Sequence, residues 1–286
     1  MLSSDSFSHK TKEPENSCLY LVGTPIGNLN DISLRAINIL EQVSLIACED
    51  TRQTKKLMNK FEINNYLISF NKNNSFKKIP RIINYLKEGQ SIALVSDAGL
   101  PGICDPGEDL VKEVKLNGFN VICIPGPCAA MTAIVASGFP SSKFTFEGFL
   151  PRKKKDREEI LIEIGKSEKT TILFESPNRL KKLLHELGDI CGTKREIQVF
   201  RELTKKYEEH IGTNIEMVQS FFEKKEVIGE ITIVIKGIEK TKNSEYNKFL
   251  LKKELDELTN SGMSLSAASK YLAKKTNLKK SILYNL

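Results

Sequence analysis

The chain has 286 residues, of which 40% are hydrophobic, and this length is typical of two domains that each bury a core. It contains no run of about 18 apolar residues, so we expect no transmembrane helix. Lys and Arg outnumber Asp and Glu by 43 to 36, and the net charge of +7 fits equally well with an anionic partner such as nucleic acid and with an ordinary lysine-rich surface.

The N-terminus and the cysteines indicate the cellular compartment. Residues 1–16 lack the apolar core of a signal peptide, and we predict that they form a disordered tail. The six cysteines include no C-x-x-C pair, which favours free thiols in a reducing cytoplasm. Because the chain has only three histidines and no cluster of ligands, we expect no metal site.

Strand and helix patterns alternate between residues 17 and 140, with a repeat of about 25 residues. This alternation is typical of a parallel sheet covered by helices, so we predict an N-terminal α/β domain over 17–140. Asp31 or Ser33 is expected to cap the first helix. The predicted strands are 18–23, 43–48, 66–70, 91–95 and 120–124, and the predicted helices are 34–42, a segment ending near 60, 75–88, 106–116 and 129–137.

Residues 141–238 contain neighbouring strand patterns with fewer helical crossovers. This favours a second α/β domain with a mixed sheet. The predicted strands are 144–149, 170–174, 196–203 and 231–235, and the predicted helices are 156–166, 178–187 and 214–225.

The last segment, 239–286, differs in composition, with ten lysines against five acidic residues. A polar linker at 242–246 leads into two helix patterns, 246–260 and 265–275, and the second is typical of a helix-turn-helix. We therefore predict a small helical appendage. A nucleic-acid-binding role and a packing role are equally compatible with this pattern.

Four loops rich in Gly, Pro and acidic residues directly follow predicted strands, at 23–28, 97–101, 125–129 and 175–177. In open α/β sheets, ligands bind outside the carboxyl ends of the strands. Together the four loops predict a ligand in the cleft between the two domains. The chain has neither G-x-G-x-x-G nor G-x-x-x-x-G-K-[ST], so the common dinucleotide and P-loop sites are not expected.

Seven segments carry a resemblance to a known family. LVGTPIGNLNDISLRAINIL, ACEDTR, SDAGLPGICDPG, IPGPCAA, FEGFLPRK, FESPNRL and GEITIVIKG, spread over residues 18–237, closely resemble the ribosomal RNA small subunit methyltransferase I family. That family lies within the tetrapyrrole (corrin/porphyrin) methylase superfamily. The resemblance implies two α/β domains of the tetrapyrrole methylase type. It also implies S-adenosylmethionine as cofactor, a homodimer, and 2′-O-methylation of a cytidine near the decoding centre of 16S rRNA in the small ribosomal subunit.

The resemblance also implies which residues line the cofactor pocket. Three positions depart from the usual family pattern, because Leu100, Cys104 and Cys128 stand where Thr, Ser and Ser are common. Cys is a weak hydrogen-bond donor, so backbone contacts are expected to matter more there. The implied cofactor residues are Pro25, Asp97, Ala98, Gly99, Leu100, Cys128, Ala129, Phe174, Gly229, Glu230 and Ile231.

Methyl transfer to a ribose hydroxyl is an in-line displacement that depends on alignment and on removal of the hydroxyl proton. A carboxylate is therefore expected as general base, and the candidates are Glu49, Asp50 and Glu175. Arginine and lysine suit phosphate contacts, and the candidates for rRNA binding are Arg52, Arg152 and Lys153.

Two other functions stay open from the sequence. A methylase of tetrapyrrole precursors would share the fold, but the segments GTPIGNLNDIS and CEDTR favour RNA. A ribosome-assembly protein that binds the cofactor without catalysis is kept open by the departures at Leu100, Cys104 and Cys128.

Overall fold

The structure is a computed structural model that describes residues 13–239, 248–276 and 278–286. Two compact units make up this part of the chain. The first contains the described residues up to Thr132 together with Glu202–Glu208. The second contains Ala133–Arg201 and the described residues from Glu209 onward. The predicted linker at 242–246 and residues 1–12 of the predicted tail lie outside the described residues.

Residues 13–16, which we assigned to the tail, contact the first unit. Arg35 Nε donates to Glu13 Oε2 at 2.9 Å, and the amide of Glu15 donates to the hydroxyl of Tyr20 at 2.7 Å. These polar contacts tie the segment to the sheet, although its composition alone favoured disorder.

The first unit is built on a parallel sheet. Its strands are β1 (Cys18–Val22), β2 (Leu45–Cys48), β3 (Leu67–Ser69), β4 (Ile92–Val95) and β5 (Asn120–Ile124). The helices that follow the first four strands are α1 (Leu34–Gln42), α2 (Thr51–Lys60), α3 (Ser75–Lys87) and α4 (Glu108–Leu116). Helix α5 (Ala129–Ser137) follows β5, beginning in the first unit and ending in the second. The strand order is β3-β2-β4-β1-β5, and every neighbouring pair is parallel. The predicted parallel sheet is confirmed.

Successive residues of the central strands face opposite sides of this sheet. Tyr20 and Ile46 pack in the core that includes α1 and α2, whereas Leu19 and Leu45 pack in the core that includes α3 and α4. Because both faces are covered, the strands are continuous apolar runs. Because all five strands are parallel, their carboxyl ends meet at one edge of the sheet, where the Gly-rich and Pro-rich loops begin.

The side chain of Ser33 decides where α1 begins. Its Oγ accepts a hydrogen bond from the amide of Ala36 at 3.1 Å, which satisfies one of the free donors of the first turn. Of the two predicted caps, Ser33 is the one that acts on α1, and Asp31 ends a short 3-10 turn before it.

The second unit contains a mixed sheet. Its strands are β6 (Phe144–Phe149), β7 (Thr170–Glu175), β8 (Glu196–Arg201), β9 (Glu209–Asn214) and β10 (Ile231–Ile235), and its helices are α6 (Lys154–Lys166), α7 (Pro177–Cys191) and α8 (Ile215–Glu223). In the order β6-β7-β10-β8-β9, only the β6–β7 pair is parallel. The predicted mixed sheet is confirmed.

Two elements of this unit differ from the sequence prediction. Strand β9 was not predicted, because EHIGTN is mostly polar and pairs only with β8 at the sheet edge. Helix α7 continues past the predicted end at 187. Gly188 lies inside the helix, and a Cβ there would lie 2.9 Å from Gln219 Nε2, a group that donates to the carbonyl of Leu184 at 2.8 Å. The glycine makes room for α8 and does not end the helix.

The C-terminal segment folds as three helices, α9 (Lys248–Asn260), α10 (Leu265–Thr276) and α11 (Lys280–Tyr284). They share a small apolar core formed by Leu251, Leu255, Ala268, Leu272 and Leu283. The predicted helical appendage is confirmed, with α11 as an additional helix. In the described ranges, no helix has the length and apolar character needed to cross a membrane.

Candidate functional site

The loops after β1 and β5 approach each other so closely that both contact positions require glycine. A Cβ on Gly23 would lie 2.7 Å from the Cα of Gly126, and a Cβ on Gly126 would lie equally close to Gly23. The amide of Gly23 also donates to the carbonyl of Ile124 at 3.2 Å. Two of the four predicted loops are therefore joined backbone to backbone.

The loop after β4 joins the same group. The amide of Thr24 donates to the carbonyl of Gly99 at 2.9 Å, and the amide of Gly99 donates back to Thr24 at 3.1 Å. Gly99 has a φ of +78°, a backbone conformation that favours glycine. The loops after β1, β4 and β5 thus form one platform, which brings together the predicted cofactor residues Pro25, Asp97, Ala98, Gly99 and Leu100.

Leu100 and Cys128 occupy positions where the family pattern usually has hydroxyl groups. The Leu100 side chain packs at the Gly23–Gly126 contact, 3.1 Å from where a Cβ on Gly23 would lie. Cys128 precedes α5, and its carbonyl accepts from both the amide and the hydroxyl of Thr132 at 2.9 Å. Ala129 begins that helix. At both departures, the contacts that fix the loops are backbone or apolar and do not need the missing hydroxyl.

The loop after β2 brings carboxylates to the same edge. The amide of Asp50 donates to Asp97 Oδ1 at 3.0 Å. The preceding residue, Glu49, is half-buried, and its pKa is raised by burial and by the negative charges of Asp105 and Asp97. The ammonium group of Lys72 acts in the opposite direction. Glu49 therefore holds a proton more strongly than an exposed glutamate.

Asp50 lies in a different electrostatic environment. Its carboxylate accepts from the amide of Arg52 at 2.8 Å and forms an ion pair with Nη2 of Arg52 at 2.7 Å. These hydrogen bonds lower the pKa of Asp50 to about 2. Asp50 thus caps α2 and orients Arg52, and it is a much weaker base than its neighbour.

Two residues that the sequence analysis missed also face this group of carboxylates. Burial raises the pKa of Asp105, and a hydrogen bond with Ser96 opposes that effect. Lys72 Nζ donates to the carbonyl of Cys104 at 3.4 Å. Cys104 has a φ of +64°. Asp105 was visible in the segment SDAGLPGICDPG, but Lys72 comes from the β3–α3 loop, and no motif connects it to the β4 loop.

A cleft of about 340 Å³ opens beside the platform in the first unit. This volume lies at the lower end of the range for small-molecule sites. The cleft combines apolar and polar groups, and two predicted cofactor residues, Pro25 and Asp97, contribute to it. The lining residues are Thr24, Pro25, Gly27, Leu29, Gln53, Thr54, Lys56, Leu57, Ser96 and Asp97.

In the second unit, the predicted cofactor residue Phe174 belongs to an aromatic group. Its ring centroid lies 5.0 Å from that of Phe146 and 5.7 Å from that of Phe149. On the neighbouring strand, Ile231 is paired with Glu175 of β7. Gly229 and Glu230 directly precede β10, and Glu230 is exposed.

Glu175 is the centre of a buried ion-pair network. Its side chain is fully buried, with Arg157 Nη1 at 3.5 Å from Oε2 and Arg179 Nε at 3.2 Å from Oε1. The amide of Ser176 also donates to Oε1 at 2.8 Å. Arg157 in turn pairs with Glu186 at 2.8 Å. Because both carboxylate oxygens are held by guanidinium groups, this geometry favours a structural role for Glu175 over the predicted role as base.

The predicted RNA-contacting residues are exposed. The Arg52 side chain has 87% of its surface accessible. Arg152 and Lys153 lie on the exposed approach to α6, which begins at Lys154. Across the described ranges, no group of three or more His, Cys, Asp or Glu residues is arranged to hold a metal ion.

Comparisons with known proteins agree with this architecture. Residues 18–219 match the family of tetrapyrrole (corrin/porphyrin) methylases. The chain is 48% identical over 221 residues to ribosomal RNA small subunit methyltransferase I of Thermotoga maritima, covering 77% of this chain and 99% of that protein. It is 42% identical over 271 residues to the Bacillus subtilis protein of the same name, covering 93% and 92%.

Solved structures show the same fold at low sequence identity. A cobalt precorrin-4 methyltransferase superposes with a TM-score of 0.60 at 16% identity, covering 77% of this chain and 95% of that chain. A diphthine synthase gives a TM-score of 0.56 at 14% identity, covering 77% and 90%. At this identity the likeness establishes the fold alone.

Proposed function

This chain belongs to the tetrapyrrole (corrin/porphyrin) methylase family and within it to the ribosomal RNA small subunit methyltransferase I group, and from that premise we propose that it methylates the 2′-hydroxyl of a cytidine near the decoding centre of 16S rRNA. The methyl donor is S-adenosylmethionine. The observation that carries the proposal is the high identity to these rRNA methyltransferases over most of the chain, combined with a carboxylate of raised pKa at the edge where the loops meet.

The platform of the first unit supports cofactor binding. S-adenosylmethionine, when bound, supplies an electrophilic methyl group on a sulfonium centre. The interlocked loops carrying Pro25, Asp97–Leu100, Cys128 and Ala129 present fixed backbone groups and the Asp97 carboxylate beside a cleft of suitable size. The second unit's Phe174, Gly229, Glu230 and Ile231 stay predictions from the family resemblance.

Glu49 is the best-supported general base. A ribose hydroxyl becomes a competent nucleophile when its proton is removed as the oxygen attacks, and a base of raised pKa serves this role better than one of lowered pKa. Asp50 is committed to the α2 cap and to Arg52, and Glu175 is committed to Arg157 and Arg179. We therefore assign proton removal to Glu49.

Arg52 is proposed to contact rRNA phosphate. Asp50 orients the guanidinium of Arg52 by accepting from Nε and Nη2. The guanidinium is exposed, and the N–H groups of Nη1 can donate to a phosphate oxygen. Arg152 and Lys153 add positive charge in the second unit. The assembled small subunit as substrate, a homodimeric state and a cytoplasmic location complete the proposal.

Two alternatives have less support. The cobalt precorrin-4 methyltransferase is 16% identical to this chain, whereas the Thermotoga maritima rRNA methyltransferase is 48% identical, which favours RNA over a tetrapyrrole precursor. The raised pKa of Glu49, caused by burial and by the negative charges of Asp105 and Asp97, favours catalysis over cofactor binding alone.

The test is methyl transfer from labelled S-adenosylmethionine to small ribosomal subunits that lack the modification. Wild type and Asp50→Asn are expected to label 16S rRNA, and Glu49→Gln is expected to lose nearly all transfer while still binding the cofactor. Label absent from the rRNA with wild type, in a preparation that binds S-adenosylmethionine, would refute the proposal.

A further inference from the structure

The C-terminal appendage separates its charges along the chain. Helix α9 carries Glu254, Asp256 and Glu257 together with its lysines. From residue 264 onward the sequence contains no Asp or Glu, but it contains five lysines, Lys270, Lys274, Lys275, Lys279 and Lys280. The positive charge is therefore concentrated on α10, α11 and the connection between them.

Helix α10 presents part of this charge on its exposed side. Ala268 and Leu272 point into the small core shared with α9 and α11. Lys270 and Lys274, which are one turn apart, lie on the exposed side together with Tyr271, whose surface is 51% accessible. Lys279 is exposed immediately before α11.

Three of the five lysines are available for an external anion. Lys275 forms an ion pair with Glu254, and Lys280 Nζ donates to Ser266 Oγ at 2.8 Å. In the part of the chain that the structure describes, Lys270, Lys274 and Lys279 have no acidic partner. We call these three residues and Tyr271 the lysine face.

The appendage is held next to a second basic segment. Lys253 of α9 pairs with Glu158 of α6 at 2.8 Å. Helix α6 begins at Lys154, directly after the predicted RNA-contacting residues Arg152 and Lys153. Both basic segments are thus attached to the same helix of the second unit.

We propose that the lysine face is an RNA-backbone-binding surface that anchors the substrate RNA without reading its sequence. The assignment of that RNA as substrate rests on the proposed function. Each lysine can neutralise one phosphate, and the tyrosine ring offers a surface for a sugar or an unstacked base. RNA fits better than a membrane, because Ala268 and Leu272 of α10 are buried in the appendage core. The exposed Leu265 and Tyr271 are six residues apart, so they do not share one face of the helix and form no apolar stripe to insert into lipid.

The test uses the full chain with Lys270, Lys274 and Lys279 all changed to Gln. A matched control changes Lys77, Lys87 and Lys115 to Gln, because these exposed lysines of the first unit remove the same charge elsewhere. The probe is a labelled RNA hairpin of unrelated sequence, and binding is measured by filter retention at several salt concentrations.

The lysine-face variant is expected to bind the hairpin about 10- to 100-fold more weakly at about 0.1 M salt, with a slope of log K against log salt that is smaller by about 2 to 3. The control is expected to retain the wild-type slope. Equal losses in both variants, or no loss in either, would overturn the proposal. The proposal would also be overturned if the lysine-face variant lost binding to vesicles of phosphatidylglycerol and phosphatidylcholine but bound the RNA hairpin as tightly as the wild type.

Methylation assays separate this inference from the proposed function. If the wild-type chain methylates small subunits, the lysine-face variant is expected to raise KM for the subunits at least fivefold with kcat unchanged. If the wild-type chain methylates no rRNA but the lysine face still controls hairpin binding, the proposed function fails and the RNA-binding surface stands.

Discussion

The change Glu175→Gln is expected to destabilise the second unit and to leave the chemistry largely intact. Glutamine keeps the size of the side chain and an oxygen for the amide of Ser176, which now donates to Glu175 Oε1 at 2.8 Å. It removes the negative charge between Arg157 and Arg179. Arg157 is itself nearly fully buried, so water replaces little of the lost interaction.

The structure sets the size of the loss. Removing one partner of a buried ion pair costs about 3 to 5 kcal/mol, because the remaining charge is left without compensation. Arg157 keeps Glu186 at 2.8 Å, and Arg179 is partly exposed, so we expect the lower end, about 3 kcal/mol. For a unit of this size, that corresponds to a fall in Tm of roughly 6 to 12 °C.

Thermal unfolding followed by circular dichroism measures this effect, with kcat measured in parallel. Glu186→Gln is the matched control. Its carboxylate is 26% exposed, and the expected loss is about 1 kcal/mol or less. Replacing Arg157 with Met in the Glu175→Gln background should recover much of the lost stability. A Glu175→Gln protein with wild-type Tm and a hundredfold lower kcat would refute the structural assignment.

Three further changes test the first unit. Glu49→Gln should lower kcat by about 10²- to 10⁴-fold with little change in KM for the subunit, since it removes the proposed base. Lys72→Gln removes a charge that lowers the pKa of Glu49, so the acidic limb of the kcat–pH profile, where the base becomes protonated, should move to higher pH. Gly126→Ala places a Cβ 2.7 Å from Gly23, so calorimetry should show at least a tenfold weaker affinity for S-adenosylmethionine.

Each of these changes has an outcome that contradicts the account. A wild-type kcat in Glu49→Gln would show that another group is the general base. If the acidic limb of the kcat–pH profile in Lys72→Gln stays at the same pH or moves to lower pH, the charge of Lys72 does not lower the pKa of the catalytic base. Unchanged cofactor affinity in Gly126→Ala would mean that the joined loops do not form the cofactor platform.

The sequence predicted the first sheet well because its central strands β1, β2 and β4 are buried on both faces. Apolar runs such as 92–95 are bounded by turn residues, and the helix between each pair of strands has its own apolar face. The loops at the carboxyl ends followed directly from that pattern. Strand β9 escaped prediction because an exposed edge strand of polar residues has no such signal.

The roles of the carboxylates depended on contacts that the sequence does not display. Glu49 and Asp50 are adjacent, yet one has a raised pKa and the other a lowered pKa, because only Asp50 faces the guanidinium of Arg52. Its position at the end of a strand made Glu175 a candidate base. Its partner Arg157 lies 18 residues earlier, on α6, and only the folded structure brings that helix to the end of β7.

The most direct test of the central claim identifies the nucleoside that receives the methyl group. Small subunits labelled by the wild-type chain are digested to nucleosides, which are separated and identified by mass spectrometry, and the labelled position is mapped in 16S rRNA. The account predicts 2′-O-methylcytidine near the decoding centre, present with wild type and absent with Glu49→Gln. A base-methylated nucleoside, or a labelled tetrapyrrole with unlabelled rRNA, would contradict it.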